Sequence, residues 1–173
     1  MAPYPVSEDT LLLLDNVECR GRVLDMGTGN GSIALKCARE RCEVVAVDLD
    51  PEAIEEVREK ARREGLKIKT ILSDLFQNVE GKFDTIVFNP PYLPGDPKDV
   101  EELQWAGGGK HGDETVIRFL EEAKNYLKED GRIYIILSSF NRIEKIREMP
   151  YRFTLLATKK FSFHEIYLYE LRK

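Results

Sequence analysis

From Arg22 onward, short apolar runs alternate with stretches whose apolar positions recur at helical spacing. Short β-branched runs pair as strands, and amphipathic stretches cover them, so the alternation predicts a parallel sheet with helices on both faces. The first strand falls at about 22–26 and its helix at 32–41. The second strand is 44–48, and the next helix opens on Asp50-Pro51. An aspartate there accepts the free N–H groups of the first turn, and proline has none to satisfy. Gly65 ends that helix near Glu64. Positions 67–73 alternate charged and apolar side chains, which reads as a third strand with one wet face at the sheet edge. A fourth strand at 83–88 is apolar enough to be central. A long loop over 89–112 follows, then a helix over 115–128 with Val116, Phe119, Leu120, Ala123 and Leu127 on one face, then a fifth strand at 132–137. Two β-rich runs, 153–158 and 161–171, flank Lys159-Lys160 as an antiparallel hairpin. The expected class is α/β: a mostly parallel seven-stranded sheet with a C-terminal antiparallel hairpin.

Composition narrows the partners. A chain of 173 residues with 42% hydrophobic content supplies one core, so residues 1–173 read as a single domain with a helical segment over 1–20 and a core over 21–173. The net charge of -5 gives no general attraction to a phosphate backbone, which makes nucleic acid a weaker candidate than protein. No apolar run approaches the ~20 residues needed to span a bilayer, and no leader pattern is visible, so a cytoplasmic protein is expected. Cys19, Cys37 and Cys42 lack the paired short spacings of a zinc site; three reduced structural thiols and no metal are the plain expectation.

The candidate chemistry sits at strand ends. Leu24-Asp25-Met26-Gly27-Thr28-Gly29-Asn30-Gly31 lies where the first strand turns into its helix, the edge at which open α/β sheets bind ligands. The spacing is not G-x-G-x-x-G, and Asp25 would repel a pyrophosphate while welcoming a cationic amino acid group. Asp48 ends the second strand roughly twenty residues further on, where an acidic side chain can accept both hydroxyls of a ribose. Asp74 can accept from an exocyclic amine, and Leu75 offers a backbone N–H and apolar contact to an adenine ring. Amino acid, ribose and adenine together describe S-adenosyl-L-methionine.

The fourth strand runs into Asn89-Pro90-Pro91-Tyr92. An amide or aromatic amine nitrogen is a poor nucleophile because its lone pair is delocalised. The Asn89 carboxamide oxygen and the Pro90 carbonyl can accept its two N–H groups and realign it, and Tyr92 offers a face for stacking. Taken alone, Asn-Pro-Pro is also a common rigid turn. Trp105 and glycines 107–109, with His111 and Gly112, are placed to form a flexible lid, although Trp105 reads equally as a packing residue and His111 as an exposed loop histidine.

These residues together resemble the HemK family of class I methyltransferases, Rossmann-like enzymes that methylate the glutamine of the Gly-Gly-Gln tripeptide in peptide-chain release factors and so act on translation termination. The likeness takes in Ser7-Glu8-Asp9-Thr10, Asp25 to Gly31, Asp48, Asp74-Leu75, the Asn-Pro-Pro-Tyr motif, Trp105-Ala106-Gly107-Gly108 and Gly131. Glu8-Asp9-Thr10 and the Trp-Ala-Gly-Gly segment are similar to the short archaeal and eukaryotic branch. The resemblance implies that Thr10 and Asp25 contact the methionine part of the cofactor, Asp48 the ribose, Asp74 and Leu75 the adenine, and Asn89 the substrate amide. Only about twenty residues precede the first strand, so the separate N-terminal substrate-binding domain of the bacterial form is expected to be missing. Short relatives work with a small zinc-binding activator subunit, for which the strand edge at 67–72 is the dock if apolar surface lies beside it; without such surface it reads as an ordinary edge protected by Lys67 and Lys69. Adenine or guanine amino methylation in DNA or RNA, lysine methylation, and a non-catalytic cofactor-binding subunit stay open as alternatives.

Overall fold

Residues 7–95, 98 and 105–173 are described by a computed structural model. Helix α1 (Glu8–Asn16) starts at Ser7, whose hydroxyl accepts the Thr10 N–H at 3.4 Å. Strand β1 (Arg22–Met26), helix α2 (Ser32–Arg39), strand β2 (Glu43–Asp48), helix α3 (Pro51–Glu64) and strand β3 (Ile68–Leu72) form the first half. Strand β4 (Phe83–Phe88), helix α4 (Glu114–Ala123), strand β5 (Leu127–Ser138), helix α5 (Ile143–Arg147), and strands β6 (Arg152–Lys160) and β7 (Glu165–Arg172) form the second. The caps of α3 are as expected: the Asp50 side chain accepts the Glu52 N–H, and Gly65 takes a left-handed conformation.

The seven strands lie in the order β3-β2-β1-β4-β5-β7-β6. All pairs from β3 to β5 are parallel, while β7 runs antiparallel to both β5 and β6. The chain winds outward from β1 to β3 and then returns to β4 on the other side of β1. Loops after β1 and β4 therefore leave in opposite senses and open a crevice at their carboxyl ends, the usual ligand position in such sheets.

Side chains alternate between two apolar layers. Val23, Val44, Ala46 and Val87 join α1, α2 and Val57 of α3 on one face; Leu24, Met26, Val45, Ile86 and Phe88 join α4 on the other. Strand period two makes both faces apolar in β1, so it is central and near-continuously hydrophobic. Each fully buried leucine or isoleucine there contributes about 1.5–3 kcal/mol.

Several boundaries differ from the sequence expectation. Helix α4 ends at Ala123, and β5 begins at Leu127, which pairs with Phe83; residues 128–131 bulge out before pairing resumes between Thr85 and Arg132. Helix α2 stops at Arg39, where Arg41 turns to φ 66°. The hairpin reverses at 161–164 rather than at Lys159-Lys160, closed by Phe161 N–H to the His164 carbonyl at 2.8 Å. The thiols differ too: Cys19 and Cys37 form a disulfide with Cα atoms 5.2 Å apart, leaving Cys42 free. Helix α2 packs beside the segment after α1 and brings that pair into register, which spacing alone does not reveal. Among the described residues no helix is long and apolar enough to cross a membrane.

Candidate active site

Asp25 is 4% exposed and sits beneath the first turn of α2. Its Oδ2 accepts the Thr28 hydroxyl at 2.8 Å and the Ala34 N–H at 3.1 Å. Burial pushes its carboxyl up to about 7; the two hydrogen bonds pull it down, and nearby Asp48 adds to the rise. Gly27 and Gly29 have φ of 65° and 55°, a left-handed turn that residues with a Cβ resist. The turn leaves the Gly29 N–H pointing at Asp48 Oδ2, 2.9 Å away, while the Asp50 N–H donates to Asp48 Oδ1, also at 2.9 Å. Asp48 is also raised, by burial, against the pull of those amides. The carboxylates of β1 and β2 thus share one turn.

Beyond the end of β3 the Ser73 hydroxyl donates to the Leu75 carbonyl at 2.8 Å and accepts the Asn78 N–H at 3.0 Å. That bracing holds buried Leu75 at φ 50°, an unusual conformation for a leucine. Asp74 beside it is not a free carboxylate, because Arg118 of α4 donates to its Oδ2 at 3.0 Å. Sequence reasoning missed Arg118, whose partner lies 44 positions away.

Asn89 follows β4 directly, and its Oδ1 is buried with no hydrogen-bond partner among the described residues. Pro90 is buried, whereas Pro91 and Tyr92 are half-buried. Tyr92 packs against the same apolar layer as Leu12 and Leu14 of α1, and its ring centroid lies 5.7 Å from that of His164. Burial, with the Asp9 carboxylate of α1 adding, raises its phenol to about 12, so Tyr92 is neutral and no base. Thr10, on the same helix, exchanges a hydrogen bond with the Ser7 hydroxyl at 2.8 Å.

Behind the motif lies a wall. Leu93 N–H donates to the Trp105 carbonyl at 2.8 Å, Gly107 N–H to the Leu93 carbonyl at 3.0 Å, and Gly95 N–H to the Gly109 carbonyl at 2.9 Å. A Cβ on Gly107 would meet the Pro91 carbonyl at 2.5 Å, so only glycine permits this approach. Trp105, Gly107 and Gly109, part of the expected lid, are thus hydrogen-bonded to the chain that directly follows the motif. Trp105 itself is 44% exposed. Residues 96, 97 and 99–104 of that loop lie outside the described residues.

Sheet pairing brings the ends of β1 to β4, and with them Asp25, Asp48, Asp74 and Asn89, to one edge: Met26 aligns with Val47 and Phe88, and Asp48 with Leu72. The set there is one of acceptors: a buried carboxyl group at Asp25, a half-buried one at Asp48, Asp74 with one oxygen engaged, and the buried Asn89 oxygen. Such a set suits an ammonium group, a ribose diol and amine hydrogens, and disfavours phosphate. Two surface hollows, of about 590 and 800 Å³, lie elsewhere, between α2 and α3 and along the start of β2 and β3. No group of three or more His, Cys, Asp or Glu able to hold a metal occurs among the described residues.

Known proteins resemble this chain in sequence and fold. The family described as Methyltransferase small domain matches residues 6–164. A candidate protein N5-glutamine methyltransferase of Methanocaldococcus jannaschii is 39% identical over 173 residues, covering 94% of the chain and 88% of that protein. The release factor glutamine methyltransferase of Streptococcus pneumoniae is 36% identical over 147 residues, covering 78% of the chain and 53% of the relative, so the chain spans about half the bacterial protein's length. Among solved structures, the E. cuniculi Mtq2-Trm112 complex, responsible for methylation of the eRF1 translation termination factor, superposes with a TM-score of 0.77 at 28% identity, covering 98% of both chains.

Proposed function

The chain belongs to the Methyltransferase small domain family, HemK class, and from that premise we propose that it transfers a methyl group from S-adenosyl-L-methionine to the N5 nitrogen of the glutamine in the Gly-Gly-Gln motif of a peptide-chain release factor. The observation that carries the reading is Asn89 Oδ1, buried and unpartnered at the end of β4. An orphaned buried acceptor costs about 1–3 kcal/mol, a cost relieved when a substrate N–H arrives.

In this reading Thr10 and Asp25, with the Gly27 and Gly29 backbone, would hold the methionine end of the cofactor. Asp48 takes the ribose, and Asp74 with Leu75 takes the adenine. The cofactor supplies an electrophilic methyl on a sulfonium. Asn89 Oδ1 and the Pro90 carbonyl accept the two N–H groups of the glutamine amide, turning its nitrogen lone pair toward that methyl, and Tyr92 stacks on the flat amide. Transfer of that methyl would leave a neutral thioether, so the chain need supply no acid, and the amide would release one N–H proton to solvent. Tyr92, with its phenol raised, stays a neutral surface throughout.

The same reading treats residues 1–173 as one catalytic unit working in the cytoplasm, where release factors act. It also assigns a small zinc-binding activator subunit to the free edge of β3, by strand addition. Strand β3 is terminal in the sheet, and Leu72 and Leu49 beside its end are 49% and 42% exposed, apolar surface that a bare edge protected only by Lys67 and Lys69 would not need. Co-expression with such a subunit should raise solubility and methylation rate; equal behaviour with and without it removes the assignment.

Labelled methyl donor, offered with a release factor, its Gly-Gly-Gln variant carrying Gln→Ala, and nucleic acid, tests the function. Label confined to the intact release factor is expected. Label only in nucleic acid, or retained by the Gln→Ala variant, overturns it.

A further inference from the structure

The Asn-Pro-Pro-Tyr segment carries the chemistry yet belongs to no strand or helix, so its shape must be imposed from behind. Only one buried polar side chain reaches its backbone among the hydrogen bonds of the described residues. Asn141, 6% exposed, follows β5 and donates from Nδ2 to the Tyr92 carbonyl at 3.3 Å and to the His111 carbonyl at 2.9 Å. Its Oδ1 accepts the Ser138 N–H at 2.8 Å, which fixes the orientation of the amide. One carboxamide thereby joins the end of β5, the acceptor motif and the 105–112 wall. The neighbouring residue locks the same corner: Arg142 donates to both oxygens of Asp113, at 2.7 Å and 3.1 Å, and its own N–H adds a third bond at 2.9 Å. Asp113 is 1% exposed, and this pairing holds its carboxyl below the usual range despite burial.

We propose that Asn141 is a positioning residue for methyl transfer, setting the distance between the Asn89–Tyr92 clamp and the cofactor crevice by holding the Tyr92 carbonyl against β5 and the wall. The inference rests on the methyltransferase reading above. None of its contacts touches Asp25, Asp48 or Leu75, so the effect falls on the reacting geometry and spares cofactor binding. A clamp misplaced by about 1 Å costs on the order of a hundredfold in rate.

The test uses the full chain and compares Asn141→Ala and Asn141→Ser with wild type in single-turnover methylation, cofactor titration and thermal unfolding. Trp105, the single tryptophan, reports the wall through acrylamide quenching. Expected for Asn141→Ala are a rate loss of roughly ten- to a hundredfold, a cofactor Kd within about threefold of wild type and easier quenching of Trp105, with partial recovery in Asn141→Ser, whose hydroxyl can still donate one bond. If the alanine variant fails to fold, the serine variant is read by the same criteria. A rate within twofold of wild type overturns the inference, as does a cofactor Kd that weakens in step with the rate, which would mark general collapse. Wild type inactive on every acceptor would instead sink the functional reading itself.

Discussion

The Gly29 amide donates to the Asp48 carboxylate at 2.9 Å, fastening the glycine turn after β1 to the end of β2. A group that shapes the turn is thus also the one placed to meet the ribose. Asp48→Ala should lose both, weakening S-adenosyl-L-methionine binding by roughly thirtyfold or more, about 2 kcal/mol at minimum. Calorimetric titration reads this directly. An unchanged Kd would remove Asp48 from the cofactor site.

Asp25 ties stability to pH. Its folded carboxyl is pushed up to about 7, against about 4 in an unfolded chain. The folded protein therefore holds the proton more tightly, and the stability this provides is complete below about pH 4 and lost as pH climbs through 7. The permanently neutral Asp25→Asn should match wild type near pH 4 in denaturant unfolding and surpass it by roughly 2–4 kcal/mol at pH 8. A constant difference across that range would contradict the placement.

Cofactor binding should show the mirror image. An ammonium beside Asp25 favours the carboxylate and expels its proton, so affinity should rise between pH 5.5 and 7, by up to about tenfold per unit. Equilibrium titrations at several pH values measure it, and a flat profile would place the ammonium elsewhere.

Asn89→Ala removes a buried acceptor that has no partner among the described residues. Methyl transfer should fall by about 10²–10³, the usual cost of one oriented polar partner of a transition state. The melting temperature should hold or rise, because a buried orphan disappears. A variant as active as wild type would end the catalytic assignment.

The Cys19–Cys37 disulfide closes a loop with a sequence separation of 18. A loop of that size stabilises by about 3 kcal/mol through the unfolded state. Reductant, or Cys19→Ser, should lower the melting temperature, and thiol titration of the native chain under denaturant should find only Cys42. Three reactive thiols before reduction would restore the expectation of a fully reduced chain.

Much of the frame was legible because its signals are local. Asp50-Pro51 and Gly65 cap α3 through contacts within a few residues, and the alternation at 67–73 marks an edge strand whatever lies elsewhere. Asp25, Gly27, Gly29 and Asp48 could be singled out because a strand, a glycine turn and a second strand end follow one another along the chain. Lys128-Glu129-Asp130 reads as anything but strand, and it enters β5 only as the irregularity between the Phe83–Leu127 and Thr85–Arg132 pairs, where Lys128 contacts Asp84 at 2.9 Å.

The sequence by itself determined the alternation of strands and helices, the acidic residues at successive strand ends and the composition of the acceptor motif. Tertiary structure alone decided that β7 lies between β5 and β6, that Arg118 engages Asp74, that Cys19 meets Cys37 and that Asn141 reaches Tyr92. Periodicity and capping are paid for by neighbours in the chain and so leave a local pattern, whereas these pairings close long loops whose partners share no spacing and become favourable only once the two apolar layers have packed.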